Sequence, residues 1–318
     1  MLKRILLTLA LALVVALALL AYTFTPAKID VNAYAEAANF ALDATRPGPQ
    51  PQVMLSLIKC GKMMSNKLFI YRGGSLSEDY DSGMAAVLVR HPQATILLDT
   101  GFGTNVDEHF KTIPFLMRNL TTYDKEQSAA AQLQQHGVTP NQINRIIISH
   151  SHWDHVSGLE DFPGVEVWMD RREVEYVRNL DRRELAREMI DKINLRPFDL
   201  EARRYENFDA SLDLFGDGSV VLVGLPGHTP GSVGMFVNLA SGKRYFFIGD
   251  LTWAAEGVQL PAERPWISRK LVDRDEEQVR RSIVKAHQLA RKYPEMMIVP
   301  AHDRRVHDRI AAFPEVER

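Results

Sequence analysis

An α/β chain preceded by an N-terminal hydrophobic helix is predicted, on three observations. Short apolar, strand-like runs recur from Val53 to Val299, and two amphipathic helical stretches, Tyr123 to His136 and Asp273 to Tyr293, are interleaved with them. An almost uninterrupted apolar run from Ile5 to Tyr22, broken only by Thr8, stands before both. With 318 residues and 46% hydrophobic content the chain can bury a large core, and α/β chains of this size often form one domain. The expected division is 1–24 as signal anchor or signal peptide, 25–51 as linker and 52–318 as one globular domain.

Taking the elements in order, Lys3-Arg4 precede the apolar run, whose length of about 18 residues falls between a cleaved signal's core and the roughly 20 needed to span a bilayer. No sharp small-x-small site follows Leu20 and no cysteine follows the run to accept lipid. This favours an uncleaved anchor with the basic end cytoplasmic, so that the domain is exported and faces the periplasm or the extracellular side, or is secreted if the segment is removed. Val31 to Ala44 has helical character, and Arg46-Pro47-Gly48-Pro49-Gln50-Pro51 carries four helix breakers and reads as a tether.

The early strands are expected at Val53 to Lys59, Lys67 to Tyr71, Met84 to Arg90 and Thr95 to Asp99, with His91-Pro92-Gln93-Ala94 as a hairpin turn. Ile143 to Ser149 reads as a strand buried on both faces. The helix from Tyr123 closes at Gly137, and the helix from Asp273 buries Val279, Ile283, Ala286, Leu289 and Ala290. No internal repeat is present. A net charge of −2 offers no global attraction for nucleic acid. Mixed runs such as Asp170-Arg171-Arg172-Glu173 and Asp181-Arg182-Arg183-Glu184 are expected to be solvated helix faces.

Chemistry concentrates in His150-Ser151-His152-Trp153-Asp154-His155, where four metal-binding side chains follow a buried strand. Three later strand-like runs each end on a further ligand type. Val220 to Leu225 leads to His228, Arg244 to Ile248 leads to Asp250, and Met296 to Val299 leads to His302. Imidazole and carboxylate suit zinc, iron or manganese, whereas a thiolate site would need more than the lone Cys60, which also excludes an intrachain disulfide.

These motifs resemble the metallo-β-lactamase fold superfamily over about residues 52 to 310, through the HxHxDH signature at 150–155, then His228, Asp250, His302 and the turn Leu98-Asp99-Thr100-Gly101. The resemblance implies a four-layer αββα sandwich with a site for two divalent metal ions at one edge, between the sheets. It assigns His150, His152 and His228 to the first metal and Asp154, His155 and His302 to the second, with Asp250 bridging and Asp99 supporting from behind. Zinc is expected, with iron or manganese as alternatives. A cation pair about 3.5–4 Å apart acidifies a shared water and so supplies hydroxide for hydrolysis, with Asp154 or a bound water protonating the leaving group.

Zinc β-lactamases that resemble this chain carry a Cys ligand, or an Arg in place of the last motif His, so His155 argues against β-lactam cleavage. Glyoxalase II enzymes share the ligands but add a basic helical region, whereas about 16 residues follow His302 here. Transfer-RNA processing nucleases add an RNA-binding arm absent from this sequence. The layout is nearest to the N-acyl-homoserine lactonase-like branch, with one departure: the Tyr found three residues after the bridging Asp is Trp253 here, and indole donates a hydrogen bond without acting as an acid. An ester or lactone-type carbonyl is therefore the expected target, in a small molecule of apolar character, with no nucleic acid partner. An iron-dependent redox enzyme of the superfamily and a thioester hydrolase are the alternatives. Phe110, Ile113, Pro114, Phe115, Leu116 and Met117, expected on a loop, together with Trp253, Leu260 and Trp266, would shape the substrate mouth; Phe115, Met117, Trp253 and Trp266 are the expected substrate contacts. His91, His109, His136, His287 and His307 receive no role.

Overall fold

The computed structural model of the protein describes residues 2–41 and 51–318. The breaker run Arg46 to Gln50 lies outside the described residues. Leu2–Phe24 forms one continuous helix with no part of it buried in the rest of the chain. Beyond it Asp30 caps a short 3-10 helix, Val31–Ala38, which buries Tyr34 and Ala37 against Val284.

Among the described residues, twelve strands make two sheets. The first contains β1 (Met54–Asn66), β2 (Asp79–His91), β3 (Ala94–Leu98), β4 (Thr122–Lys125), β5 (Arg145–Ile147), β6 (Glu166–Asp170) and β7 (Asn194–Phe198), in the order β4-β1-β2-β3-β5-β6-β7. The second holds β8 (Ser211–Asp213), β9 (Val220–Gly224), β10 (Val233–Asn238), β11 (Arg244–Phe247) and β12 (Met297–Val299), in the order β12-β11-β10-β9-β8. The two-residue turn Pro92-Gln93 joins β2 to β3 as expected.

Alternation along the strands decides the layering, because successive side chains leave a strand on opposite faces. In the β1–β2 pair, Leu57 and Val87 point into the core shared by the two sheets, together with Leu222, Met235 and Phe247. Their neighbours Ile58 and Ala86 point outward, under a helical layer that contributes Leu133, Val177 and Met189. The outer face of the second sheet, with Val223, Phe236 and Phe246, is covered by Val279, Ile283, Ala286 and Leu289 of the helix Glu276–Lys292. Helices on both sides of two packed sheets give four layers. On β5, Ile146 belongs to the outer core and Ile147 to the inner one, so the strand is buried on both faces and its end is rigidly placed.

Three elements differ from expectation. Lys67 to Tyr71 is not a strand: β1 pairs with β2 as far as Asn66 opposite Asp79, so the residues between are a connection, opened by an Asn66-capped turn at Lys67–Phe69. The stretch from Tyr123 divides, because Thr122–Lys125 pairs with the edge of β1 and the helix begins only after Ser128, which caps Ala129–Gln135. Residues 110–117 are helical turns, Phe110–Thr112 and the start of Phe115–Leu120.

Candidate metal centre

All the ligand-type residues leave strand ends at one edge of the sandwich. His150, His152, Asp154 and His155 follow β5 of the first sheet, while His228, Asp250 and His302 follow β9, β11 and β12 of the second. They close into two groups. His150 Nε2 and His228 Nε2 stand 3.1 and 2.8 Å from His152 Nδ1, and Asp250 Oδ2 lies 3.4 Å from His228 Nε2. His302 Nε2 lies 3.3 Å from Asp154 Oδ2, and Asp250 Oδ1 lies 2.9 Å from His302 Nε2 and 3.2 Å from His155 Nε2. Asp250 therefore turns one oxygen to each group.

The donor set fits a pair of cations. His155 Nε2 and Asp250 Oδ1 are buried without a hydrogen-bond partner, and a buried polar atom left unmatched is costly unless something else satisfies it. The four-residue group and the group of Asp154, His155 and His302 each bring their ligand atoms within 4.8 Å of one another.

Sequence and fold agree on the family at this point. A family model described as the metallo-beta-lactamase superfamily matches residues 83–302. The chain belongs to the metallo-β-lactamase superfamily. Among its relatives, the N-acyl homoserine lactonase AttM of Rhizobium radiobacter is 25% identical over 232 residues, covering 71% of this chain and 83% of that protein. AttM of Azorhizobium caulinodans is 25% identical over 194 residues, covering 59% of this chain and 72% of its own. In fold the chain is similar to an N-acyl homoserine lactone hydrolase solved with N-hexanoyl-L-homoserine at its catalytic metal centre, at TM-score 0.68 and 18% identity over 84% of this chain and 100% of that one. A dizinc quorum-quenching lactonase, AidC, gives TM-score 0.54 at 17% identity over 84% and 90% of the two chains. The protein is thus a metallo-β-lactamase-type hydrolase with a His/Asp metal site.

As in many metal sites, partners behind the ligands fix each ring. Asp99, at φ 56°, takes His155 Nδ1 at 2.8 Å while accepting the Ser149 amide and hydroxyl, both at 2.7 Å. Asp273 takes His228 Nδ1 at 2.8 Å and is paired with Arg264 at 3.0 Å. The Gly83 carbonyl takes His302 Nδ1 at 3.0 Å, and a Cβ on Gly83 would meet His307 Nδ1 at 2.7 Å, so a side chain there would displace this support.

Charge divides the two groups. Burial, with the neighbouring imidazoles, holds His150 and His152 well below the ordinary histidine range. Burial also opposes charging His155, but the carboxylates of Asp99, Asp250 and Asp154 outweigh it and hold the ring well above that range. His302 is raised in the same way, burial being overcome by Asp250 and Asp154. Burial of Asp250 is outweighed by His302, His155 and His150, which keep its carboxyl well below the usual carboxylate range.

Three supporting residues, Glu173, Arg264 and Asp273, carry no sequence motif. Glu173 is fully buried, not part of a solvated face: its carboxylate accepts Ser151 N at 2.8 Å, Thr229 Oγ1 at 2.7 Å and Gly231 N at 3.0 Å, tying the loops that hold His152 and His228. Its place one turn before buried Val177 is the signal that could have found it. Arg264 donates to the Asp250 carbonyl and lies 4.5 Å over the Trp253 ring, joining Asp250 to Asp273. Trp253 itself donates Nε1–H to Asp250 Oδ2 at 2.7 Å.

The centre opens into a cavity walled by Ile70, Ile113, Leu116, Met117, Leu120 and Leu271, with Trp253 and Asp154 also on its surface. Two of the four expected substrate contacts, Met117 and Trp253, line it. Phe115 and Trp266 are absent from its wall and point to solvent, 73% and 44% exposed. Helical periodicity gives the reason, since Leu116 and Leu120 are four residues apart on one helix and Ile267 and Leu271 on the other, so the residue that opens each helix faces away. The histidines without a role have other partners: His109 meets Ser157 Oγ at 2.9 Å, His287 the Val258 carbonyl at 2.8 Å, and His91 stacks on Phe215 at 3.7 Å. Cys60 is buried, and burial pushes its thiol up to about 12.

Proposed function

We propose that this chain hydrolyses an ester or lactone that carries an apolar portion, at a dinuclear centre, on the exported side of a membrane that Leu2–Phe24 crosses. The supporting observation is the position of Asp250, one oxygen toward each ligand group, at the floor of an apolar cavity. His150, His152 and His228 would hold one divalent cation, Asp154, His155 and His302 the other, and Asp250 both. Zinc suits this donor set, and AidC, similar in fold, is a dizinc enzyme. The pair when bound supplies an acidified water and electrophilic stabilisation of a carbonyl oxygen.

The chain's own residues do the remaining work. Trp253 holds Asp250 in one orientation through the indole N–H, so it positions a ligand and delivers no proton. Asp154 faces the cavity beside His302 and is placed to pass a proton to the departing alkoxide. The apolar wall would take up an acyl chain by removing it from water, worth about 0.8 kcal/mol per buried methylene. AttM relatives are named for acyl-homoserine lactones, and the same class of substrate, a cyclic ester on an acyl chain, is the first to try here.

A hydrolysis screen of the purified protein against lactones, aryl esters, thioesters, phosphodiesters and β-lactams, with and without chelator and alongside metal analysis, tests the reading. Chelator-sensitive lactone or ester cleavage with two zinc ions per chain is the expected result. Iron with oxygen consumption and no hydrolysis would replace it with the redox reading. Within the site, Leu116→Ser and Met117→Ser should raise KM for long-chain substrates more than for short ones, whereas Phe115→Ser should leave soluble substrates unaffected.

A further inference from the structure

We propose that the cavity mouth rests on the same bilayer that the N-terminal helix crosses, so that apolar substrate enters from the lipid phase. This builds on the reading of Leu2–Phe24 as a span; at 1.5 Å per residue its length is about 34 Å, enough for a hydrocarbon core of about 30 Å.

The end of that helix is docked on the cavity wall. Arg72 donates from Nη2 to the Tyr22 carbonyl and from Nε to the Thr25 carbonyl, both at 3.1 Å, and the Gly73 amide donates to the Phe24 carbonyl at 3.0 Å. The Phe24 ring meets Phe69 edge-on at 6.0 Å, and Phe69 and Ile70 line the cavity. Ser268 Oγ donates to the Phe69 carbonyl at 2.7 Å and brings the helix Trp266–Val272 onto the same segment. The point where the chain would leave the membrane and the entrance of the site are therefore one layer of side chains apart.

Exposed apolar residues lie on the two helices that wall that entrance. Outside the N-terminal helix, the large apolar side chains left exposed among the described residues are Leu76, Phe115, Leu116, Leu120, Leu260 and Trp266. Leu116 and Leu120 line the cavity, and Phe115 and Trp266 sit on the same two helices as its lining residues Met117 and Leu271, whereas Leu76 and Leu260 stand outside its wall. Single exposed apolar residues are ordinary on a protein surface, but a patch gathered on one side marks an interaction face. Arg118 and Lys270 are exposed on the same two helices as Phe115 and Trp266. Aromatic and aliphatic side chains bordered by basic ones are the composition of an interfacial membrane surface.

The test uses the full chain reconstituted into phosphatidylcholine vesicles. Flotation that resists alkaline carbonate reports the span. Brominated acyl chains should quench part of the tryptophan emission, and Trp266→Phe should remove that part. The double variant Phe115→Ser, Trp266→Ser should show a several-fold higher KM for a dodecanoyl aryl ester dissolved in the vesicles, with kcat unchanged and a water-soluble butyryl ester turned over as before. A chain that does not float overturns both the span and this proposal. A chain that floats while Trp266→Phe leaves quenching unchanged, or while the double variant leaves KM for the dissolved ester unchanged, overturns the docking face alone.

Discussion

The two ligand groups are built from the same side-chain types but shift their imidazoles in opposite directions. In one, burial and the mutual proximity of imidazoles keep His150 and His152 neutral, and the carboxylate behind His228, Asp273, shares its charge with Arg264. In the other, Asp99 stands behind His155 with only the Ser149 amide and hydroxyl as further donors, and Asp154 stands beside it, so His155 and His302 favour the protonated state. If each group takes a cation as proposed, the first is ready for it at neutral pH and the second must give up protons to receive it.

The largest expected effect comes from removing what the halves share. Asp250→Ala should abolish hydrolysis and lower metal content in both halves, measured by turnover and by metal analysis; full turnover in this variant would break the proposed bridge. Next, Asp99→Asn should weaken the second cation and Asp273→Asn the first, each by about 10- to 100-fold, read by competition with a coloured chelator. Equal loss at both sites in each variant would show that the halves act as one unit. The protonation difference predicts an order of loading: as pH falls through the raised range of His155 and His302, protons displace the second cation first, so titration should find two ions per chain in alkaline buffer and one in mildly acidic buffer. Simultaneous loss of both ions would erase the asymmetry.

A further effect, on stability and not on metal, concerns His307, which packs against Gly83 behind His302 and donates from Nε2 to the Pro300 carbonyl, 3.0 Å away. Burial lowers it from 6.5 to about 4. The unfolded chain therefore binds a proton that the folded chain refuses between those values, and its contribution, present in full above pH 6.5, is lost as pH falls toward 4. The loss approaches about 3 kcal/mol. Chemical denaturation of His307→Asn across that window should show a shallower fall than the parent chain.

What could be read in advance follows from how each residue is recognised. Ligand residues sit beside one another or at the ends of buried strands, so His150 to His155, His228, Asp250 and His302 were legible from spacing and resemblance, and the structure brings all seven together. The four layers were legible as family knowledge, and the strands as apolar runs. Glu173, Arg264 and Asp273 were not, because a single charged residue on a helix or loop looks solvated until the chain folds it under a neighbouring loop. The cavity wall was legible only to within one helical position, since which of Phe115, Leu116 and Met117 turns inward depends on where the helix begins.

Because the ligands descend from strands of both sheets, a bound pair of cations would rivet the two layers of the sandwich at their open edge. Free energy of association then becomes free energy of folding, about 4 kcal/mol when free cation exceeds its dissociation constant a thousandfold. The metal supply of the compartment would thereby govern not only the turnover of this protein but also how long each copy survives heat and proteases.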